Sequence, residues 1–191
     1  SINNIKATGI EDILLIVGYK NEMIKDYFGD GQDKFGVKIN YVDQKYYLGT
    51  AHAAKYCQNF VENEPFLLMN GDVLTDEQVF INVVKLFQEG NCDGIITLFR
   101  VENPENFGII SLDEQGFAKE IVEKPTIGSN VGNLANAGIY FFNSKLFDAI
   151  DQTKKSIRGE YEITDSFKIM IKNGFKILGY NLSKFFWSDI G

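Results

Sequence analysis

The chain has 191 residues, of which 45% are hydrophobic, 14% aromatic and 24% charged, a composition typical of a soluble globular domain and incompatible with disorder. Its formal net charge of −7, with Lys154-Lys155 as the densest basic pair, argues against a nucleic-acid partner, and its apolar runs fall short of the roughly 20 residues that span a membrane. Two cysteines and one histidine are too few for a disulfide scaffold or a structural zinc site, so we expect a cytoplasmic protein.

Strand and helix patterns alternate in the first half of the chain. Residues 12–17 are largely apolar and end at Gly18, which is typical of a strand buried on both faces. Thr75 and Gln78 have the spacing of a capping box, which predicts a helix from residue 76. The alternation predicts right-handed parallel crossovers, and therefore a three-layer α/β sandwich around a mostly parallel, Rossmann-like mixed sheet. The predicted strands are 12–17, 37–42, 66–69 and 93–101, and the predicted helices are 22–28, 50–59 and 76–89.

The second half of the chain predicts antiparallel additions to that sheet. Residues 113–116 form a turn sequence, so the strands on either side of it, 107–112 and 117–122, should pair as a hairpin. We find no internal repeat or linker, so residues 1–191 are predicted to be a single domain. Because the chain opens on what resembles the last turns of a helix, we expect a strand–loop–helix unit of about 30 residues before it. The other predicted elements are strands at 136–142, 175–182 and 185–188 and helices at 144–150 and 161–173.

Two aspartates lie where strands are predicted to end. Asp72 follows the strand 66–69, and Asp189 follows the apolar strand 185–188. Ligands of open parallel sheets bind beyond the carboxyl ends of strands, and Mg²⁺ prefers one or two carboxylates together with water and phosphate oxygens. Either aspartate could instead belong to an ordinary turn before a helix or a glycine. The pair therefore indicates a magnesium site without requiring one.

Three further residues could bind a ligand. Lys124 can neutralise a phosphate, and its neighbour Glu123 can accept hydrogen bonds from hydroxyl groups; the alternative is a surface ion pair before a proline. The amide of Gln44 can pair with the edge of a uracil or thymine ring, although an exposed glutamine in a loop commonly has no role. Each signal is modest when taken alone.

The order and spacing of six short motifs carry more information than any one of them. Together they resemble the sugar-1-phosphate nucleotidyltransferases along the whole chain, in particular the glucose-1-phosphate thymidylyltransferase and UTP-dependent uridylyltransferase branch. Some members of that branch continue into a C-terminal left-handed β-helix. The motifs are Leu48-Gly49-Thr50-Ala51-His52-Ala53, Asn70-Gly71-Asp72-Val73, Phe107-Gly108-Ile109-Ile110, Glu123-Lys124-Pro125, Asn136-Ala137-Gly138-Ile139-Tyr140 and Trp187-Ser188-Asp189-Ile190-Gly191.

The resemblance implies a nucleoside triphosphate and a sugar 1-phosphate as substrates, Mg²⁺ as the cofactor and a homo-oligomeric parent protein. It also implies a division of labour among the residues of the motifs. Matching positions bind the pyrimidine base at Gln44, Gly49 and Thr50, the ribose at Gly71, the metal at Asp72 and Asp189, the sugar at Gly108, Glu123 and Asn136, and the sugar phosphate at Lys124.

One family feature is absent from this sequence. The family carries an N-terminal Gly-rich loop, G-x-G-T-R-x-x-P followed by a lysine, whose backbone N–H groups and cations hold the triphosphate. We therefore expect residues 1–191 alone to be inactive. Two alternatives remain open at this point: a mannose-1-phosphate guanylyltransferase, against which Gln44 argues, and a catalytically silent regulatory subunit, against which the two retained aspartates argue.

Overall fold

The computed structural model describes residues 1–129 and 131–190. Asn130 and Gly191, which closes the last motif, lie outside the described residues. The strands are β1 (Asp12–Val17), β2 (Lys38–Asp43), β3 (Phe66–Met69), β4 (Val73–Thr75), β5 (Gly94–Arg100), β6 (Gly108–Leu112), β7 (Ala118–Glu123), β8 (Leu134–Phe142), β9 (Ile177–Asn181) and β10 (Trp187–Asp189). The helices are α1 (Ile2–Lys6), α2 (Asn21–Phe28), α3 (Gln32–Phe35), α4 (Thr50–Lys55), α5 (Gln58–Val61), α6 (Glu77–Gln88), α7 (Lys145–Gln152) and α8 (Ile163–Lys172), with a short 3₁₀ turn at Pro104–Asn106.

A six-stranded mixed sheet forms the centre of the molecule, and β8 is its longest strand. One edge of β8 pairs antiparallel with β5, and β5 pairs in parallel with β9. The other edge of β8 is shared: its C-terminal half pairs with β3, and its N-terminal half meets β6, which forms the predicted hairpin with β7. The α/β class with a mixed sheet and an antiparallel hairpin is therefore confirmed.

The sheet lies between two layers of helices. Alternate residues of β5 enter separate apolar clusters: Ile96 packs with residues of α4, α7 and α8, and Ile95 packs with residues of α1 and α6. Successive side chains of a strand point to opposite faces, so the two clusters are the two sides of a three-layer sandwich. The predicted three-layer arrangement is confirmed.

Two smaller sheets flank the central one. Strands β1 and β2 pair in parallel along their whole length, from Asp12↔Lys38 to Val17↔Asp43. Strands β4 and β10 pair antiparallel, with Asp189 opposite Val73. No helix formed by the described residues is long and apolar enough to cross a bilayer.

The predicted helix 50–59 is divided in the structure. The amides of Tyr56 and Cys57 bond to carbonyls three residues earlier instead of four, which tightens the chain into a 3₁₀-type turn between α4 and α5. The remaining predicted strands and helices lie within two residues of the observed bounds.

The predicted capping box at the start of α6 is wrong. The cap position is Asp76, and the hydroxyl of Thr75 donates to the carbonyl of Phe186 at 2.6 Å instead of capping the helix. The carboxylate of Asp76 accepts a hydrogen bond from the amide of Phe186 at 2.8 Å. Both side chains thus bind the segment that leads into β10, a contact over more than a hundred residues that no local pattern predicts.

Candidate functional site

The pairing of β4 with β10 brings the two predicted metal aspartates together. Asp72 directly precedes β4 and Asp189 ends β10; the amide of Ile190 donates to the carbonyl of Asp72 at 3.1 Å. The ring of Trp187 stacks on Phe99, with 3.8 Å between ring centroids, and its indole N–H donates to the carbonyl of Ala137 at 2.9 Å. These contacts fix β10, and with it Asp189, beside Asp72.

The donor set at this point suits a hard cation. Two carboxylates on neighbouring strands offer oxygen ligands, the type that Mg²⁺ prefers. The described residues contain no group of three or more His, Cys, Asp and Glu side chains that could hold a metal ion. A magnesium ion bound here would therefore take its remaining ligands from water and from phosphate oxygens, which is how Mg²⁺ sits at phosphoryl-transfer sites.

Glu123, at the end of β7, is held in place by two neighbours. Its partner in the sheet is Gly108, where an added Cβ would lie 2.8 Å from Glu123 Oε2. Thr164, in the first turn of α8, donates its hydroxyl to the same oxygen at 3.1 Å. Gly108 therefore leaves space for the carboxylate, and Thr164 sets its direction. The sequence analysis gave Thr164 no role.

Asn136 has half of its side-chain hydrogen-bonding capacity engaged within the protein. Its Nδ2 donates to the hydroxyl of Tyr140 at 2.7 Å, and its Oδ1 accepts from the amide of Gly138 at 3.1 Å. One amide hydrogen and one lone pair remain for a ligand. Burial raises the pKa of Tyr140; the hydrogen bond from Asn136 opposes this shift and the negative charge of Glu123 reinforces it. Tyr140, Asn136 and Glu123 thus belong to one cluster.

Lys124 has a strained backbone. Its φ is +43°, in the left-handed region that lysine rarely adopts, and its amide donates to the carbonyl of Phe107 at 3.0 Å. Such a conformation costs on the order of 1–3 kcal/mol and is concentrated at functional sites. The side chain is exposed and takes part in no ion pair within residues 1–129 and 131–190. A cation is therefore presented next to Glu123.

A second cation, Arg158, was missed by the sequence analysis. Its Nε and Nη2 donate to Oε1 of Glu162 at 3.1 and 2.6 Å, and Glu162 is only 5% exposed. The hydrogen bond to Glu162 raises the pKa of Arg158, and the charges of Glu162, Glu123 and Glu160 act in the same direction against the effect of burial. Arg158 therefore lies within the electrostatic reach of Glu123. A single arginine in a polar loop gives no sequence signal of this kind.

A cavity of about 190 Å³ adjoins this cluster through Tyr140. Three of the predicted nucleotide-binding residues, Gln44, Thr50 and Gly71, line it. A Cβ at Gly71 would meet no atom within 4 Å, so the backbone there is open to a ligand. Asp72 follows Gly71 in the chain, so one wall of the cavity lies next to the pair of aspartates in the sequence. The other lining residues are Ile16, Ala53, Ala54, Leu68, Met69, Asn70 and Ile163.

Gly49 does not line the cavity but supports it. Its φ is +113°, and an added Cβ would lie 2.5 Å from the carbonyl oxygen of Tyr161. The neighbouring hydroxyl of Thr50 accepts a hydrogen bond from the amide of Ile163 at 2.9 Å. The loop 48–51 is therefore packed on the segment that enters α8, one residue before Thr164. This packing requires glycine independently of any bound base.

Comparison with known proteins gives a consistent result. The Nucleotidyl transferase family matches residues 1–191. Low-salt glycan biosynthesis nucleotidyltransferase Agl11 of Haloferax volcanii is 38% identical over 192 residues, covering 100% of this chain and 52% of that protein. Glucose-1-phosphate thymidylyltransferase of Streptomyces antibioticus is 33% identical over 188 residues, covering 98% of this chain and 51% of that protein. The chain thus spans about half the length of these two relatives.

A solved structure supports the fold. The crystal structure of UDP-glucose pyrophosphorylase complexed with UDP-glucose aligns with a TM-score of 0.84 at 24% identity, covering 95% of this chain and 76% of that one. At this level of identity the likeness extends to the fold alone.

Proposed function

The chain belongs to the Nucleotidyl transferase family, and from that premise we propose that its parent protein transfers the nucleotidyl group of dTTP or UTP to a sugar 1-phosphate. The products are a nucleotide-diphospho-sugar and pyrophosphate. The observation that carries the proposal is the continuity of the site. A cavity lined by Gln44 and Thr50 is also lined by Gly71, which precedes Asp72, and by Tyr140, which belongs to the cluster around Glu123.

The reaction needs positioning and charge stabilisation more than covalent catalysis. An oxygen of the sugar phosphate attacks the α-phosphorus in line, the bond to the bridging oxygen of the β-phosphate breaks, and pyrophosphate leaves with the electron pair. In this scheme Glu123 accepts hydrogen bonds from the sugar hydroxyls, and Asn136 donates one to a hydroxyl and accepts one from a hydroxyl. Lys124 orients the sugar phosphate, and Gln44 pairs with the edge of the base.

Asp72 and Asp189 would hold Mg²⁺, which supplies charge neutralisation at the phosphate oxygens when it is bound. The β4–β10 ladder and the hydrogen bond from Ile190 to Asp72 hold the backbones of the two aspartates side by side before any substrate arrives. Their role is therefore to bind the cation in a fixed position relative to Gly71 and the cavity.

We also propose that a strand carrying the Gly-rich loop precedes the chain and fits between β1 and β3. Within the described residues β1 pairs only with β2, and β3 pairs only with β8. Ile16 of β1 and Leu68 of β3 line the same cavity near the C-terminal ends of their strands. All four residues of β3 are apolar, but each is only half-buried. An additional strand beside β3 would cover their remaining apolar surface. The C-terminal β-helix, the homo-oligomer and the cytoplasmic location stay predictions.

A pyrophosphate-release assay tests the proposal. The protein extended upstream to include the Gly-rich loop should release pyrophosphate from UTP or dTTP when glucose 1-phosphate and Mg²⁺ are present. Residues 1–191 alone should release none at a measurable rate. Robust turnover by the 191 residues alone would show that catalysis does not need the Gly-rich loop. Absence of turnover in the extended protein would overturn the proposed enzymatic function.

A further inference from the structure

A second cavity lies away from the proposed site, between β7 and α8. Its volume is about 340 Å³, within the range of roughly 300–1,000 Å³ that is usual for small-ligand sites. We call it the lysine groove, because three of its six lining residues are lysines. The lining residues are Lys119, Glu120, Ile121, Lys168, Ile171 and Lys172.

The lysine groove concentrates positive charge in an acidic protein of net charge −7. Lys168 pairs with Asp165 at 2.7 Å. Lys119 and Lys172 take part in no ion pair among residues 1–129 and 131–190, nor does Glu120. Lys168 and Lys172 are four residues apart on one helix, a spacing at which like charges repel. The groove therefore has more positive than negative charge, since three lysines face only Glu120 and Asp165.

The floor of the groove is apolar. Ile121 is 4% exposed, and Ile171 is half-buried. Lysine ammonium groups are point charges well suited to phosphate oxygens, and isoleucine side chains can pack against a small carbon skeleton. This combination fits a phosphate-bearing anion better than it fits a carbohydrate without charge.

The lysine groove and the proposed site share the same two structural elements. Along β7, Glu123 is four residues from Lys119, a distance of ~13 Å at the usual rise of a strand. Along α8, Lys168 and Lys172 follow Thr164 by about one and two turns, ~6 and ~12 Å. β7 and α8 therefore form the lysine groove at one end, and the hydrogen bond from Thr164 to Glu123 joins the same strand and helix at the other end.

We propose that the lysine groove is a second binding site, for a phosphate-bearing anion, and that its occupation stabilises the contact between Thr164 and Glu123. An anion between β7 and α8 offsets the repulsion among Lys119, Lys168 and Lys172 and draws the two elements together. The second half of this inference rests on the proposed function, since its consequence is tighter binding of the sugar 1-phosphate. In such coupling, each of the two ligands, the anion and the sugar 1-phosphate, changes the affinity for the other by the same factor.

Direct binding tests the site without any need for activity. The ¹⁵N-labelled 191-residue chain is titrated with inorganic phosphate and, separately, with glucose 6-phosphate, at constant ionic strength. We expect saturable amide shifts at residues 119–121 and 168–172. Tighter binding of the ester identifies an organic phosphate as the ligand, and equal binding identifies free phosphate. Absence of saturable shifts in both segments overturns the site.

Paired variants separate the groove from general electrostatics. Lys119→Gln/Lys172→Gln should weaken phosphate binding at least tenfold. The control, Lys85→Gln/Lys184→Gln, removes the same charge from exposed lysines that lie in no cavity described above and should leave the affinity unchanged. Equal weakening in both double variants would show that only net charge matters and would overturn the site.

The coupling is measured in the extended protein by pyrophosphate release. The phosphate probe that binds the groove should lower the KM for glucose 1-phosphate about threefold in the wild type and leave it unchanged in Lys119→Gln/Lys172→Gln. A KM that does not respond while the groove is occupied overturns the coupling. Because the titration uses no catalysis, failure of the proposed function and failure of the site give different results.

Discussion

The two halves of the proposed site are built differently. The sugar half, around Glu123, Asn136 and Thr164, lies on the six-stranded sheet and α8. Thr164 donates a hydrogen bond to Glu123 at 3.1 Å, and Asn136 donates one to Tyr140 at 2.7 Å. In the nucleotide half, Gln44 follows β2, and the β1–β2 pair shares no ladder with the central sheet among the described residues. The side-chain amide of Gln44 donates a hydrogen bond to the carbonyl of Tyr46, two residues later in an exposed loop, at 3.2 Å.

This difference indicates which half is ready to bind. Donors and acceptors that already point into the site lose little conformational freedom when a ligand arrives, whereas a loop glutamine must first release its local bond. We therefore infer that the sugar half is preorganised and that Gln44 of the nucleotide half becomes ordered on binding. The aspartate pair belongs to neither half and joins them.

The largest expected effect comes from that junction. Asp72→Asn in the extended protein should cut turnover by about 100-fold or more, because it removes charge from the metal site with little change in volume. The measurement is steady-state pyrophosphate release, with thermal unfolding as a check on the fold. Glu77→Gln, which removes an exposed carboxylate at the start of α6, is the matched control and should behave as wild type. Turnover like wild type in Asp72→Asn would remove that residue from the mechanism.

A smaller effect is expected in the nucleotide half. Gln44→Ala should weaken binding of UTP and dTTP by roughly 1–2 kcal/mol, the usual result of leaving hydrogen-bonding groups unpaired. Calorimetric titration of the extended protein measures the affinity for UTP and dTTP. A parallel titration with GTP provides the comparison, because a purine-specific enzyme would bind GTP more tightly. Unchanged pyrimidine affinity would show that Gln44 is an ordinary loop residue.

The sugar half offers a more conservative change. Thr164→Val removes the donor to Glu123 while keeping the shape of the side chain, and should raise the KM for glucose 1-phosphate about fivefold, roughly 1 kcal/mol. Thr164→Ser keeps the hydroxyl and should restore most of the affinity. Equal KM values in the two variants would mean that the hydrogen bond does not position Glu123.

The smallest effect is on the free energy of unfolding at alkaline pH, and it comes from Tyr140 in the sugar half. Because the folded state raises the pKa of Tyr140 above its ordinary value of 10, the neutral phenol contributes stability that is complete below pH 10 and is lost as the pH rises further. Urea unfolding should therefore show the wild type losing roughly half a kcal/mol at pH 10 relative to Tyr140→Phe.

Burial also raises the pKa of Cys57 to about 11, with the same sign, but this contribution is common to both proteins and cancels in the comparison. Parallel pH profiles for wild type and Tyr140→Phe would show that the buried phenol has an ordinary pKa.

Local patterns predicted most of the fold. The strand at 12–17 and the hairpin around 113–116 were found because apolar runs and turn residues are local signals. The capping box at Thr75 failed because a tertiary partner, Phe186, took the hydroxyl that a local rule assigns to the helix. The division of the helix 50–59 had no signal in residue type either.

The candidate site residues were chosen by residue type and by resemblance, and their arrangement in space was not predicted. The adjacency of Asp72 and Asp189 depends on the ladder between β4 and β10, and β4 is too short to be recognised from its sequence. The lysine groove escaped notice for a related reason, since β7 and α8 lie far apart in the chain, as do Arg158 and Glu123. Long-range pairing decides these features, and a single sequence does not display it.

The most direct test of the central claim is to measure which substrates the extended protein requires. Pyrophosphate release is followed with UTP, dTTP or GTP, each with and without glucose 1-phosphate, in the presence of Mg²⁺. The account predicts release with UTP or dTTP when the sugar phosphate is present, and none when either substrate is omitted. Release that needs no sugar phosphate, or that proceeds best with GTP, would contradict a site in which a pyrimidine pocket and a sugar-phosphate pocket meet at one pair of aspartates.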